Sequence, residues 1–185
     1  FLICPEAWKT EILEKEIITE KSRLRTIPRC YYVLKTSQVV NWEQQVPPNF
    51  QMEFINDQFL KKKNLKNFDS LIIEIEDITG SMEEFLRRRN FGYCLVHKKT
   101  EIVSWCLSFL HGSNCEAWVQ TVEKHQKKGF ATFTTAAFVE YCQNHNIAIG
   151  WHSNLDNQGS IKLAEKIGFE RTSKEYSWVF GDHQE

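Results

Sequence analysis

The chain has 185 residues, a length that suits one compact domain or one domain with an N-terminal extension. Its residues are 42% hydrophobic and 25% charged, which excludes a disordered or membrane-embedded protein, and a formal net charge of −1 argues against nucleic acid or an anionic membrane as partner. We expect a cytoplasmic protein, because the sequence has neither a spanning apolar run nor a recognisable signal peptide. We also expect a monomer or homodimer.

The N-terminal part of the chain predicts a helix, a strand and then a polar stretch. Apolar residues recur on one helical face from Glu6 to about Leu24, and Cys30 to Leu34 has the composition of a short strand. The polar stretch ends at Pro47-Pro48, where we place a domain boundary. Residues 1–48 would then form an N-terminal extension, and residues 49–185 the main domain.

Strands and helices alternate in the next part of the chain. Phe50 to Ile55 predicts a strand and Asp57 to Lys66 a helix, whereas Leu71 to Ile75 fits either an extended segment or the approach to a helix. Ser81-Met82-Glu83-Glu84 fits a capping box, in which hydroxyl and carboxylate satisfy free backbone N–H groups. It predicts a helix that starts there and ends near Asn90.

Three closely spaced strands come next, and their short connections predict that neighbours run antiparallel. They are Gly92 to His97, Ile102 to Leu110 and Cys115 to Val122. The pattern then becomes helical from Gly129 to about His145.

A strand, a helix and a hairpin are predicted at the end of the chain. The strand is Ile147 to Trp151, and the helix runs from about Asn157 to Ile167, with Gly168 suited to the left-handed residue that stops it. Phe169 to Thr172 and Tyr176 to Phe180 would form the hairpin.

Cysteine and histidine spacing points to neither disulfides nor metal. The six cysteines form no Cys-x-x-Cys pair and several lie in apolar segments, which favours reduced, packed thiols. The six histidines are scattered without the spacing of metal ligands, so we expect no metal site.

The segment most suggestive of chemistry is Gln126-Lys127-Lys128-Gly129-Phe130-Ala131-Thr132, between a strand and a long helix. A turn running into a helix N-terminus offers exposed amides and a positive field to a pyrophosphate; Gly129 permits close approach, and Lys127 and Lys128 add charge. The segment lacks the Gly-Lys-Ser/Thr ending of a Walker loop and the repeated glycines of a Rossmann fingerprint.

Two spaced motifs resemble a known superfamily. Gln126-x-x-Gly129-x-Ala131 resembles the Q/R-x-x-G-x-G/A signature of the GNAT (Gcn5-related N-acetyltransferase) superfamily, and Asn157-x-x-Ser160 through Gly168-Phe169 looks like its second element. The run from Glu116 to Phe169 is similar to the bacterial GNAT subfamily that includes the zwittermicin A resistance acetyltransferase.

The resemblance implies an α/β (α+β) GNAT fold, in which helices flank a mixed central sheet with two splayed central strands. It also implies an enzyme that moves acetyl from acetyl-CoA to an amine, here expected to be a small molecule. Backbone groups of Gln120, Thr121 and Val122 would bind the pantetheine arm, and Asn157 would contact it from the other side. The residues implied to bind the cofactor are Gln120, Thr121, Val122, Gln126, Lys127, Lys128, Gly129, Phe130, Ala131, Thr132, Asn157 and Ser160.

The catalytic groups are less clearly marked. Glu116 and His152 are alternative general bases, one beside the implied cofactor and the other after the second central strand. Many relatives carry a tyrosine as general acid seven residues after the motif asparagine, where this chain has Ala164, and Tyr176 is a substitute candidate. Gln120 and Val122 also depart from the related pattern, so a module that binds CoA without turnover is the second hypothesis.

Overall fold

The structure is a computed structural model that describes residues 2–5, 23–111 and 114–182. Its strands are β1 (Leu2–Pro5), β2 (Arg23–Leu34), β3 (Phe50–Ile55), β4 (Gly92–His97), β5 (Glu101–His111), β6 (Asn114–Thr121), β7 (Ala148–Asn154) and β8 (Phe169–Asp182). Its α-helices are α1 (Trp42–Gln45), α2 (Asp57–Leu60), α3 (Phe68–Thr79), α4 (Met82–Arg87), α5 (Phe130–Asn144) and α6 (Gln158–Ile167).

The strands form one mixed sheet in the order β1-β8-β2-β7-β6-β5-β4-β3. Neighbouring strands pair antiparallel, except for β6 and β7, which pair parallel and are joined by α5. The predicted α/β class, with a mixed central sheet and flanking helices, is confirmed. The three closely spaced strands predicted in the middle of the chain are β4, β5 and β6, and they are antiparallel as expected.

The helices cover both faces of the sheet, and strand alternation decides which residue packs where. On β5, Trp105 and Leu107 pack in a cluster with α2, α3 and α4, whereas Cys106 between them packs in a cluster with α5 and α6. The described part of the chain is therefore a three-layer structure with an apolar core on each side of the sheet.

The N-terminal segment supplies a strand to the interior of the sheet. β2 lies between β7 and β8 and pairs antiparallel with both, so residues before Pro47-Pro48 are bonded to the C-terminal strands. The predicted strand Cys30 to Leu34 is the second part of this longer strand. The helix predicted from Glu6 to Leu24 falls largely on residues 6–22, which lie outside the described residues.

The predicted terminal hairpin is wrong. Phe169 to Thr172 and Tyr176 to Phe180 belong to one continuous strand, β8, and the residues between them contain no glycine, proline or asparagine to make a turn. β2 takes the place beside β8 that a second hairpin strand would have filled, and a register shift between Cys30 and Tyr32 accommodates the long pairing.

Local signals placed α4, α5 and α6 correctly, whereas α1 falls in the stretch predicted to be polar and without a helix. The Ser81 hydroxyl accepts from the Glu84 amide at 3.0 Å, so the predicted cap is confirmed, and α4 follows it. The ambiguous Leu71 to Ile75 is helical and lies inside α3. The helix predicted over Asp57 to Lys66 is shorter, because α2 ends at Leu60.

The described cysteine side chains are buried, free thiols, as predicted. They are Cys30, Cys94, Cys106, Cys115 and Cys142. The Sγ atoms of Cys115 and Cys142 lie 3.8 Å apart, in contact but not bonded, and burial raises the pKa of the Cys106 thiol well above its usual value. Such thiols pack as small apolar groups.

Two glycines end helices in the left-handed conformation, but their surroundings differ. Gly80 ends α3 at φ +87° with open space where a Cβ would be, whereas a Cβ on Gly168, at φ +112° after α6, would lie 2.0 Å from the Thr36 carbonyl oxygen. Gly168 therefore allows the segment after β2 to pack against the end of α6.

This difference predicts unequal costs for the same substitution. Gly80→Ala should lower the free energy of unfolding by about 1 kcal/mol, the cost of a left-handed alanine. Gly168→Ala should lower it by about 3 kcal/mol, because the Thr36 backbone must also move. Urea denaturation of both variants measures the difference, and equal losses would contradict the close contact at Gly168.

Candidate functional site

The two parallel strands in the middle of the sheet pair over a short stretch and then part. Their ladder joins Asn114 to Ala148, Cys115 to Ile149 and Glu116 to Gly150. β6 continues to Thr121 and β7 to Asn154, with no further pairing between the two in the described structure. The result is a wedge that opens towards the carboxyl ends of both strands.

Backbone groups on one side of β6 face this wedge. The Val122 amide donates to the Val103 carbonyl of β5 at 3.0 Å, and the alternation of an antiparallel ladder turns Val119 and Thr121 the other way, towards β7. The backbone groups of Gln120 and Val122 thus face β5 and are not available to a ligand, contrary to the sequence-based expectation. Val119, which that expectation omitted, is available, and strand alternation was the signal that would have found it.

The turn after β6 exposes the start of α5. A short 3-10 helix, Glu123–His125, leads to Lys127 at φ +59° and Gly129 at φ +82°, both left-handed. No side chain caps α5, and no acidic residue lies in its first turn. The amides of Phe130 and Ala131 thus open the helix with its positive dipole end uncovered, as an anion requires.

A cavity of about 440 Å³, here called the helix-side cavity, joins the wedge to this turn. The residues that line it come from β6, the turn, α5, β7 and α6. They are Val119, Gln120, Thr121, His125, Gln126, Lys127, Gly129, Phe130, Ala131, Trp151, Asn157, Gly159, Ser160 and Leu163. The cavity unites both sequence motifs, which are far apart along the chain.

Most residues predicted to bind the cofactor line this cavity, and three do not. The Lys128 ammonium donates to the Lys124 carbonyl at 2.8 Å, the Thr132 side chain is buried, and Val122 faces a different cavity. Gln126 closes the turn by donating from Nε2 to the Thr121 carbonyl at 3.2 Å. Lys127 is therefore the lysine of the pair that lines the cavity.

The second motif forms the opposite wall. Asn157 caps α6, since its Oδ1 accepts from the Ser160 amide at 3.0 Å, and it also lines the cavity. The Trp151 indole donates to the Ser160 hydroxyl at 3.0 Å, and its ring packs on Phe169 with centroids 5.5 Å apart. These contacts tie α6 to β7 and so hold the second motif against this wall of the cavity.

A carboxylate organises the positive groups near the turn. Glu101 Oε1 lies 2.5 Å from Lys124 Nζ and 3.5 Å from His125 Nε2, and the bond from Lys124 lowers the pKa of Glu101. Burial is the main reason that the pKa of His125 is lowered, so the ring is mostly neutral at pH 7. The positive field at this wall therefore comes mainly from Lys127 and the helix.

The two alternative bases form a pair. His152 Nε2 lies 2.9 Å from Glu116 Oε1, where β6 and β7 begin to part, and the Tyr31 ring lies 4.5 Å from the imidazole. Tyr176 is in β8, and the sheet order puts its backbone three strands from β6, about 14 Å at ordinary strand spacing. Its side chain lies outside the described residues.

A second cavity, of about 470 Å³, opens on the other face of β6 and is here called the α3-side cavity. The residues that line it are Asn67, Ser70, Glu74, Trp105, Gln120, Thr121, Val122, Glu123 and Gln126. Glu74 accepts from the indole of Trp118 at 2.5 Å, a contact that joins α3 to β6. Sequence periodicity alone did not single out Glu74.

Comparison with known proteins decides the family. A family model described as GNAT acetyltransferase matches residues 5–179, nearly the full chain. The chain belongs to the GNAT acetyltransferase family. The match includes β2, so the N-terminal strand falls within the region that the GNAT model covers.

Individual relatives agree with this family. The chain is 31% identical over 103 residues to the uncharacterized N-acetyltransferase YdfB of Bacillus subtilis (strain 168), a match that spans 55% of this chain and 38% of that protein. A GCN5-related N-acetyltransferase-like protein from Streptococcus suis has a similar fold, with a TM-score of 0.66, 21% identity, and coverage of 96% of this chain and 71% of that one. A putative GNAT acetyltransferase from Novosphingobium aromaticivorans also has a similar fold, with a TM-score of 0.63 and 12% identity. The match covers 89% of this chain and 69% of that one.

The described residues include no helix long and apolar enough to cross a membrane.

The cap at Asn157 yields a test of how the second motif is held. Asn157→Ala should lower the free energy of unfolding by about 1 kcal/mol, because the Ser160 amide loses its acceptor. Asn157→Asp keeps an acceptor at the same place and should cost little. Urea denaturation distinguishes the two, and equal losses would mean that the cap does not stabilise α6.

Proposed function

We propose that the chain is an N-acetyltransferase that moves acetyl from acetyl-CoA to the amine of a small molecule, directly, with both substrates bound. The observation that carries the proposal is the helix-side cavity, in which an unpaired strand edge meets an uncapped helix N-terminus. An extended polar arm needs the first feature, and a pyrophosphate needs the second.

The pyrophosphate would lie on the turn from Gln126 to Ala131. Gly129 has open space where a Cβ would be, so a phosphate can approach the backbone closely. The amides of Phe130 and Ala131 and the ammonium group of Lys127 supply donors and positive charge.

The pantetheine arm would add to β6 as a short strand. Val119 offers its backbone groups towards the wedge, whereas Thr121 is already engaged, its carbonyl by Gln126 Nε2 and its amide by Gln120 Oε1. Asn157 lines the opposite wall. One of the free β6 amides would stabilise the negative charge that develops on the acetyl carbonyl oxygen.

In the transfer step the neutral amine nitrogen forms a bond to the acetyl carbon, the carbon–sulfur bond breaks, and the thiolate takes a proton. The amine must lose one proton before attack and another afterwards. We assign the removal of the first proton to the Glu116–His152 pair, because it lies where β6 and β7 begin to part. The five residues of β6 from Glu116 to Gln120 span about 13 Å, so the arm would have to reach this far along β6 from the turn to bring its thioester near the base.

The second candidate function is a module that binds CoA or a related ligand for sensing, without turnover. Ala164 favours it, because this residue is fully buried and has no group that could protonate the thiolate. Tyr176 lies three strands from β6 along the sheet, which weakens it as a substitute. Four other expectations also stay predictions. They are membership of the subfamily of the zwittermicin A resistance acetyltransferase, a cytoplasmic location, the monomer or homodimer state and the domain boundary after residue 48.

Gly129 tests where the pyrophosphate binds. Gly129→Leu should reduce CoA affinity at least about a hundredfold, because the side chain would fill the space in front of the α5 amides. Gly80→Leu is the matched control, since Gly80 also has a positive φ and open space but lies away from the cavity. Calorimetry with CoA measures both, and an unchanged affinity in Gly129→Leu would refute the placement.

The Glu116–His152 pair separates the two candidate functions. With an amine that is turned over, Glu116→Gln and His152→Asn should each lower kcat about 10²- to 10⁴-fold, with CoA affinity retained. The double variant should be hardly slower than either single variant, because the two side chains act as one unit. If the unaltered protein binds CoA but acetylates no amine of a broad panel, the sensing function stands instead.

A further inference from the structure

The two cavities approach the same stretch of β6 from opposite faces of the sheet. Gln120, Thr121 and Gln126 line both of them. A ligand in the α3-side cavity would therefore lie next to a ligand that runs along β6 in the helix-side cavity. Glu116 lies on the same face of β6 as Gln120, so a ligand that extends along this face from the α3-side cavity would approach the proposed base, as an acceptor for direct transfer must.

The charges of the two cavities differ in sign. Among the described lining residues, the helix-side cavity has Lys127 and no carboxylate, as suits a pyrophosphate. The α3-side cavity has two carboxylates, Glu74 and Glu123, and no lysine, arginine or histidine. Its charge therefore favours a positively charged ligand.

The lysines next to Asn67 and Glu123 in the chain do not cancel this charge. Lys66 and Lys124 both contact Glu101, with Nζ to Oε1 distances of 3.9 and 2.5 Å, and neither lines the cavity. Asn67 separates Glu101 from the cavity, donating from Nδ2 to the Glu101 carboxylate at 3.3 Å and to the Ile102 carbonyl at 2.8 Å.

We propose that the α3-side cavity binds an acceptor with two amino groups, and that Glu74 holds the protonated amine that does not react. The proposal rests on the proposed acetyl transfer. The attacking nitrogen must be neutral, so two carboxylates would not favour it in its reactive form. They would favour a second, permanently protonated amine on the same molecule.

Glu74 is oriented for this task. Its Oε2 accepts from the Trp118 indole at 2.5 Å, which fixes the carboxylate between α3 and β6. The Trp118 side chain is 40% exposed, so part of its indole is accessible next to the Glu74 carboxylate. A carboxylate next to a partly exposed indole is a suitable site for an alkylammonium group.

A buried polar group also lines the cavity. Trp105 lines it and is 2% exposed, and its indole N–H has no acceptor among the residues that the structure describes. A buried donor of this kind calls for an acceptor on a ligand or on an ordered water. The cavity is thus not an apolar gap between α3 and the sheet.

Three acceptors of one chain length test the proposal. Cadaverine has two terminal amines, pentylamine lacks the second amine, and free lysine adds a carboxylate to cadaverine. With acetyl-CoA as donor, kcat/KM should be at least about tenfold higher for cadaverine than for pentylamine. It should also be higher than for lysine, whose carboxylate would face Glu74 and Glu123. Equal rates for cadaverine and pentylamine would overturn the proposal.

A variant pair assigns the effect to Glu74. Glu74→Gln keeps an oxygen acceptor for Trp118 but removes the charge, so kcat/KM for cadaverine should fall about tenfold to a hundredfold, with pentylamine unaffected. Glu76→Gln is the matched control, because Glu76 is exposed on the same helix and does not line the cavity. An equal effect of both variants, or none of Glu74→Gln, would refute the role.

Calorimetry of cadaverine binding to the CoA-bound protein separates this proposal from the proposed function. Cadaverine binding that Glu74→Gln weakens and Glu76→Gln does not would support the site even if no acetyl transfer occurs, in which case the transferase proposal alone fails. Acetylation of amines without cadaverine binding, or with binding insensitive to Glu74→Gln, would leave the transferase proposal standing and overturn the diamine site.

Discussion

The functional architecture of this chain depends on one constraint, the parting of β6 and β7 after three residue pairs. A fully paired sheet has no free backbone groups in its interior, so it cannot accept an extended ligand there. Here the parting leaves such groups in the middle of the sheet. Gly150, at the last pair, also permits the Tyr31 ring to pack where any Cβ would lie 2.5 Å from its hydroxyl oxygen.

Features with local causes were predictable from the sequence. The capping serine before α4, the glycine that ends α6 and the uncapped start of α5 each depend on a few neighbouring residues. The partner of β8 depends instead on a strand more than a hundred residues earlier, and no local pattern encodes that choice. The hairpin prediction failed for this reason, since two strand-like runs close in sequence were assumed to pair.

The candidate site shows the same division. The turn at Gly129 was predictable from its local residues and from the family resemblance. Which β6 residues face a ligand depends instead on the register in which β6 pairs with β5, and the sequence alone does not show this register. Side-chain alternation places Glu116, Trp118 and Gln120 on the α3 face of the sheet. Backbone alternation turns the peptide groups of Val119 and Thr121 towards the wedge. Glu116 and His152 were alternatives for one role, and only the parallel register of β6 and β7 brings them within 2.9 Å. Glu74 comes from a separate helix, so no motif contains it.

The position of β2 has a consequence for how the protein is made. Arg29 bonds to Asn154, 125 residues away, so β2 leaves the ribosome long before the strands on either side of it exist. The sheet from β3 to β6 has only sequence-adjacent pairings and can form during synthesis. β2 stays without its partners until β7 and β8 have been made, and its two unpaired edges are open to aggregation and to chaperones in that interval.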